Sequence, residues 1–450
     1  MAIIEFELTK EFRDRFQEAL DQHDDRFIRN SLEDVKAADI SSLLYEFSSQ
    51  ESKYVMDLLT IERQAEIIND LDPDTRKQFL RIYASEEIAG FLNLLDSDDA
   101  ADIINELPIQ QREEVLSGLE TELRIQVTEL LRYEHNVAGG LMAKELIRAR
   151  ADWTVVQCIE EIRKQAESVT KFYTVYVVDN YNRLLGSVAV QELIVSDPRT
   201  LVSDIYEDEI VRVETSMEER EVAEIMRRYD LESVPVVNVQ GQLVGRITID
   251  DVVDVITEMA EEERQMMAGI SEDVEEDDSI WRNTRARLPW LLIGIIGGFL
   301  SARIMGVFEA ELARITAIAF FIPLIQATGG NVGIQSSSIV VQTLSNPGFV
   351  DEGIWKRLLK VFAVALLNGF FLSLIVFGIN LLFDGERKLS TVVSIALFSV
   401  VIFASLVGTV TPLVLNKLGF NPALASGPFI TTMNDLLGLG IYFSVVHFLL

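Results

Sequence analysis

Hydrophobic and polar positions follow three different rhythms along this 450-residue chain. Over roughly the first 135 residues, apolar positions recur at helical spacing in short blocks separated by polar junctions. In "ERQAEIINDLDPDTRKQFLRIY" (62–83) the pair Asp72-Pro73 supplies a cap followed by a first-turn proline. "AEIINDL" (65–71) recurs as "ADIINEL" (101–107), 36 residues on, which predicts stacked short helices in a solenoid-like domain. A tighter repeat follows. "VVDNYNRLLG" (177–186) and "VVNVQGQLVG" (236–245) align at a spacing of 59, and "SVAVQELIV" and "RITIDDVVD" continue the match. Each copy predicts a strand, a polar turn, a second strand and a helix start, within a tandem βαββα module. The third rhythm is long apolar runs of bilayer length. Five candidate spans cover about 288–308, 312–344, 358–383, 389–418 and 421–450, and the second and fourth are long enough to tilt or break.

Charge divides the chain in the same place. Residues 285–450 hold 10 Lys+Arg and 7 Asp+Glu, a net of +3; residues 1–284 then hold 39−10 = 29 bases and 71−7 = 64 acids, a net of −35. Such a surface excludes nucleic acid as a partner, because that binding rests on neutralising phosphates with basic side chains. It favours cations, with solubility and self-repulsion as the bland reading. Cys158 is the single cysteine, which excludes an internal disulfide framework and a thiolate metal site. The charged start "MAIIEFELTKEFRDRF" lacks the apolar core of a signal peptide, so the acidic half is expected to stay in the cytosol. With that half inside, Arg282, Arg285, Arg287, Lys356, Arg357, Lys360 and Lys417 flank the spans on the inner side. Arg303, Arg314, Arg387 and Lys388 lie outside, and five spans put the C-terminus outside.

Two kinds of acid carry candidate chemistry. From Glu258 to Asp278 the chain holds ten carboxylates and one base, Arg264; Asp254, Glu258 and Glu262 fall on one helical face, and Asp98 and Asp102 form a second i, i+4 pair. Each like-charge pair costs roughly 0.2–0.5 kcal/mol in a helix. A solvated face explains most such pairs, but their recurrence beside a membrane segment favours relief by divalent cations. The second kind is Asp435, the single acid of "GPFITTMNDLLGLGIYFSVV" (427–446). An ionised Asp at mid-span costs roughly 2.5–3.5 kcal/mol. No Lys or Arg shares its span, and His447 lies twelve residues on. A neutral carboxyl or an interhelical hydrogen bond is the bland reading; a cation site is the functional one, with Asn434, Thr432 and the carbonyls around Gly427 expected to help hold the ion's water shell. "PLIQATGGNVGIQSSS" (323–338) adds amides and hydroxyls that lipid cannot satisfy, and its glycines permit either close helix approach or a local break. No nucleophile–base pair, P-loop or Cys/His cluster is present, with histidine only at His23, His135 and His447, so an enzyme is not expected.

The paired repeat resembles tandem cystathionine-β-synthase (CBS) domains. The order of all the parts resembles the MgtE family of magnesium channels, carried by "LDSDDAADIINELP" (95–108), "YEHNVAGGLM" (133–142), "VGRITIDDVVDVI" (244–256), "GGNVGIQS" (329–336) and "GPFITTMND" (427–435). The resemblance implies a multidomain membrane protein: an all-α superhelical N-terminal domain (1–137), α/β tandem CBS domains (138–198 and 199–257), a long acidic connecting helix that plugs the pore (258–284), and a five-helix transmembrane domain (285–450). It implies a homodimeric Mg²⁺ channel in the cytoplasmic membrane that mediates magnesium uptake, with its pore on the dimer axis, and that closes when cytosolic Mg²⁺ is high. The pore acid falls on Asp435. The regulatory acids fall on Asp98, Asp102, Glu218, Asp230, Asp251, Asp254, Glu262 and Glu263, with the backbone carbonyl of Gly139. Family members can carry Asn where this chain has Gly427. ATP modulates some members through the CBS cleft; here Gln191 and Leu231 stand at candidate contact positions, which leaves nucleotide binding open. A proton-coupled secondary transporter of divalent cations, with Asp435 as the proton carrier, is the competing reading. A regulatory membrane anchor is the third, and it leaves Asp435 and 323–338 without a use.

Overall fold

The N-terminal helices start at a fixed pitch of twelve residues. In the computed structural model, which describes residues 8–165, 174–271, 274, 279–344, 354–383, 386–425 and 427–450, α1 (Lys10–Asp21) is followed by nine helices whose first residues lie 12 apart. They are α2 (Asp25–Leu32), α3 (Ala37–Leu44), α4 (Ser49–Asp57), α5 (Ile61–Asp70), α6 (Pro73–Leu80), α7 (Ser85–Leu92), α8 (Ser97–Glu106), α9 (Ile109–Gly118) and α10 (Thr121–Leu130). Helices this short are unstable alone and gain their stability from packing. Each packs on the helix two along: α3 on α5, α5 on α7 and α7 on α9 form one row, and α4, α6, α8 and α10 form the other. The 36-residue echo is therefore three periods, and its two copies sit on α5 and α8, in opposite rows. Their matching isoleucines, Ile67 and Ile68 in one and Ile103 and Ile104 in the other, are all fully buried. Arg76 clamps α6 to α8: its Nε and Nη2 donate to Glu106 Oε2 and Oε1 at 3.0 and 2.6 Å, and Nη1 donates to the Asn69 carbonyl at 2.9 Å.

After α11 (Ala138–Leu141) the two CBS repeats follow. One runs β1 (Arg148–Arg150), α12 (Val155–Gln165), β2 (Thr174–Val178), β3 (Leu184–Ala189) and α13 (Val190–Val195). The other runs β4 (Val213–Glu214), α14 (Glu219–Tyr229), β5 (Ser233–Val237), β6 (Leu243–Thr248) and α15 (Ile249–Ala268). Each sheet joins a parallel pair to an antiparallel hairpin, and each hairpin shifts register at the same place, between Val177 and Val178 and between Val236 and Val237. Arg183 bridges Gln242, which is its own counterpart 59 residues on, so a pseudo-two-fold axis passes between them. Tyr176, Val178 and Leu184 of one repeat bury against Val237 and Leu243 of the other.

The chain divides into two compact units, Met1–Ile256 and Thr257–Leu450. α15 starts nine residues before the expected connecting helix and stops at Gly269, whose φ of +83° ends it. The 258–284 segment is thus not one helix. α15 closes at Ala268 and α16 (Ile280–Val307) opens a new one; most of the acidic run, 272–273 and 275–278, lies outside the described residues.

The second unit continues with α17 (Glu309–Arg314), a 3₁₀ stretch (Thr316–Phe321), α18 (Ile322–Leu344), α19 (Ile354–Leu382), α20 (Arg387–Lys417) and α21 (Pro428–Leu449). Among the described residues, five helices are long and apolar enough to cross a membrane. The second span does not break at its glycines. α18 runs unbroken through 329–333, and Gly408 of α20 lets that helix approach it: a Cβ on Gly408 would lie 2.4 Å from the Gly333 carbonyl oxygen. α18, α20 and α21 share a buried core of Ile325, Val393, Ala396, Val401, Leu439 and Phe443. Tyr442 donates to the Ile318 carbonyl at 2.8 Å.

Candidate functional site

Asp435 projects from the second turn of α21 and lines two cavities. The first, about 380 Å³, is walled by α16 through Gly294, Gly297, Gly298, Ser301, Ala302 and Met305, by Gln326 of α18, and by Thr432 and Asp435 of α21. Gly297 makes this wall, since a Cβ there would sit 2.1 Å from the Thr432 methyl. The second cavity, about 890 Å³, shares Gly294, Thr432 and Asp435 and reaches Ala268, Gly269 and Ile270 at the end of α15. α15 therefore ends in the cavity that leads to the carboxylate. Its contacts are close: a Cβ on Gly427 would lie 2.3 Å from the Met267 carbonyl oxygen, and one on Gly269 would lie 2.5 Å from the Pro428 ring.

The expectation that Asn434 joins Asp435 at the ion is corrected. Adjacent helical residues point about 100° apart, and Asn434 turns into the α18 interface, 2% exposed. A Cβ on Gly333 would lie 1.7 Å from its Nδ2, so glycine there makes its space. Both ends of the Asn434 amide lack a hydrogen-bond partner among the described residues. Thr432 does line the cavities, as expected.

In the cytosolic unit the predicted regulatory acids fall into separate groups. Asp98 and Asp102 are one turn apart on α8 but look in different directions. Asp98 is buried and interacts with Asp251, Asp99 and Glu145. Burial, reinforced by these like charges, pushes its carboxyl well above the ordinary range. Asp99 is pushed up to about 7 by burial and then by Asp251. Asp251 is pushed up to about 6 by burial, with Asp250 and Asp254 adding to it, and burial raises Glu145 too. None of the four forms an ion pair among the described residues. Local bonds hold them in place: Ser97 donates to Glu145 Oε2 at 2.8 Å, and the Thr248 N–H and hydroxyl donate to Asp251 Oδ2 at 3.0 and 2.7 Å. The Asp251 bond to the Thr248 N–H is half of a capping box at the start of α15. Asp254, one turn on, is raised by burial and by the charges of Asp250 and Asp70.

Asp102 instead sits 3.3 Å from His135 Nδ1, and this hydrogen bond raises the histidine's pKa. His135 also feels Glu219, and Val137 bridges Glu218, so Asp102, Gly139 and Glu218 belong to one neighbourhood. Gly139 packs against Tyr133, whose ring lies 2.4 Å from where a Cβ would be. Asp230 is the left-handed C-cap of α14, with φ +54°. Glu262 and Glu263 fall on the part of α15 that belongs to the second unit. Among the described residues no three His, Cys, Asp or Glu side chains gather tightly enough to cage a metal ion. Asp99 and Glu145 were missed from sequence. Asp99 is the third of four acids in "DSDDAAD" (96–102), and only the fold shows that it, rather than Asp102, shares Asp98's surroundings.

Comparisons agree with this layout. The family model described as divalent cation transporter, MgtE, matches 322–445; the MgtE intracellular N domain matches 35–136; and CBS domains match 138–196 and 202–258. The chain is 35% identical over 443 residues to the magnesium transporter MgtE of Thermus thermophilus, covering 96% of this chain and 97% of that protein. It is 33% identical over 321 residues to the Enterococcus faecalis magnesium transporter MgtE, covering 71% and 70%. Among solved structures, the cytosolic domain of the Mg²⁺ channel MgtE in complex with ATP is similar at a TM-score of 0.51 and 34% identity, covering 53% of this chain and 98% of that one. Members are transporters and not enzymes, and the five apolar helices follow N-terminal domains that are cytosolic in this family. The chain therefore belongs to the MgtE family of multi-pass membrane magnesium transporters.

Proposed function

We propose that this protein is a homodimeric Mg²⁺ channel of the cytoplasmic membrane that mediates uptake and is closed by cytosolic Mg²⁺. The observation that carries this reading is Asp435, a single mid-span carboxylate lining two connected cavities, one of which ends on α15. Mg²⁺ binds oxygen at about 2.0–2.1 Å and sheds water reluctantly. With a water radius of about 1.4 Å, its hexahydrate has a radius near 3.5 Å and a volume of about 180 Å³. The first cavity, about 380 Å³, has room for that hydrated ion. One carboxylate with hydroxyls and an amide nearby accepts hydrogen bonds from the water shell and still releases the ion.

Gating follows from the buried acids. At low cytosolic Mg²⁺, Asp98, Asp99, Glu145 and Asp251 are desolvated and mutually repulsive. Mg²⁺ held by one or two of these carboxylates and several waters relieves that cost, a binding mode the ion prefers. Because the ion binds the compact state better, it shifts the population towards closure. The second neighbourhood, Asp102, Gly139 and Glu218, and the acids Asp230, Asp254, Glu262 and Glu263 complete the proposed regulatory set. From the related domain's complex with ATP, the CBS pair is proposed to take ATP as well. The test is growth of magnesium-starved cells and Mg²⁺ flux in proteoliposomes with Asp435→Ala and Asp435→Asn. Both variants should reach the membrane and lose flux; wild-type flux in Asp435→Asn refutes the reading.

A further inference from the structure

Gln326 is the one long amide in the wall of the first cavity. It lies on α18, half-buried, and its side chain makes no hydrogen bond to any described residue. An amide in a membrane span without a partner is costly, so its ligand must come from the cavity itself. Its position relative to Asp435 is set by Gly330, one helical turn further along the same face. A Cβ on Gly330 would sit 3.9 Å from Asp435 Oδ1. Gln326 is therefore about one turn, roughly 5–6 Å along the axis, from the carboxylate. Both side chains line the same cavity of about 380 Å³, which has room for one hydrated divalent ion. Ser301 and Thr432 complete the polar lining.

We infer that Gln326 is a specificity-determining residue for the transported cation: its amide oxygen accepts hydrogen bonds from the water shell of a hydrated divalent ion whose shell also rests on Asp435. This rests on the proposed pore reading of Asp435 and adds a second point of recognition. The amide is neutral, so it adds an acceptor without the second charge that would trap the ion. Two acceptors facing one cavity favour an ion that keeps its water shell. Mg²⁺ keeps a rigid octahedron of water. Ca²⁺ takes 6–8 oxygens at longer distance in flexible geometry and exchanges water for protein oxygen more readily. Such a pair of acceptors favours Mg²⁺.

The experiment is flux through the full chain in proteoliposomes, with Mg²⁺ and Ca²⁺ as probes. Gln326→Leu should raise the half-saturating Mg²⁺ concentration by roughly 3–10-fold, the loss of one hydrogen bond between neutral groups. Maximal flux should stay near wild type, and Ca²⁺ should be discriminated less well. Gln326→Glu should do the opposite, lowering half-saturation and maximal flux together, with stronger block by Ca²⁺. A packing role predicts no such opposed pair. If Leu is not tolerated in the membrane, Glu and Asn at this position decide the matter. Unchanged half-saturation and Mg²⁺/Ca²⁺ ratio, with Asp435→Asn inactive, overturns the role of Gln326 and leaves the pore reading standing. Normal flux in Asp435→Asn overturns both.

Discussion

The carbonyl oxygen of Met267 occupies the place where a side chain on Gly427 would begin: a Cβ there would lie 2.3 Å away. Gly427 also has φ +60°, a conformation that disfavours any Cβ. The end of α15 and the start of α21 are thus fitted to each other only because residue 427 is glycine. Gly427→Ala should push α15 off the α21 terminus and weaken closure. In proteoliposomes with Mg²⁺ titrated on the cytosolic face, the half-inhibiting concentration should rise at least ~5-fold, the lower end of ordinary coupling energies. Unaltered inhibition would show that this contact does not transmit closure.

The buried acids around Asp98 make metal-free stability depend on pH. Folding raises their pKa values, so the folded state holds protons that the unfolded chain has released. The stabilisation is complete below the ordinary carboxylate value of 3.8 and is lost as pH rises through about 6 to 7, where Asp251 and Asp99 titrate. Thermal unfolding of the cytosolic unit, followed in the full chain without Mg²⁺, should therefore show a falling midpoint over that window. Millimolar Mg²⁺ should restore it at pH 7.5 and add little at pH 5. Asp98→Asn should raise the metal-free midpoint and blunt the Mg²⁺ response.

Gly333 and Asn434 form a size-matched pair, with 1.7 Å between a Cβ on one and Nδ2 of the other. Gly333→Ala overfills this interface and should cost at least ~1–3 kcal/mol of membrane-domain stability. Asn434→Ala in the same chain should recover most of it, because it vacates the contested space. Unfolding midpoints of the two single variants and the double variant test the coupling; strict additivity would mean that the two side chains do not contend.

Arg76 and Glu106 are 9% and 12% exposed and joined by two hydrogen bonds. Removing one partner strands a charge, so Glu106→Gln or Arg76→Met should each cost ~3–5 kcal/mol. Arg76→Met with Glu106→Met should cost much less. Equilibrium unfolding of the N-terminal helices in urea separates these outcomes.

Much of this layout was legible from residues alone because it rests on periodicity and on sharp changes in composition. The spacing of 59 reappears as paired register shifts and as the Arg183–Gln242 bridge. The five spans emerged from apolar length, and Asp435 from being the one acid among them. What stayed hidden depended on rotation about a helix axis. Asp98 and Asp102 read as one pair, yet a turn of α8 sends them to different neighbours; Asp435 and Asn434 are adjacent, yet one lines the cavities and the other is buried. The true period of the N-terminal domain was masked because only every third helix repeats its sequence closely enough to notice. The end of α15 at Gly269 was overlooked because the acids beyond it continue the helical look of the segment.

The twelve-residue pitch makes the N-terminal domain a two-stroke ladder, with odd and even rungs on opposite sides. Removing α9 or α10 alone would put α8 in the other row relative to the CBS repeats and turn its aspartates away from Glu145 and Asp251. Removing two would restore the phase and merely shorten the ladder. In a lineage of such proteins, the stretch between α8 and the CBS repeats can therefore change length in steps of 24 residues while Asp98 keeps its neighbours.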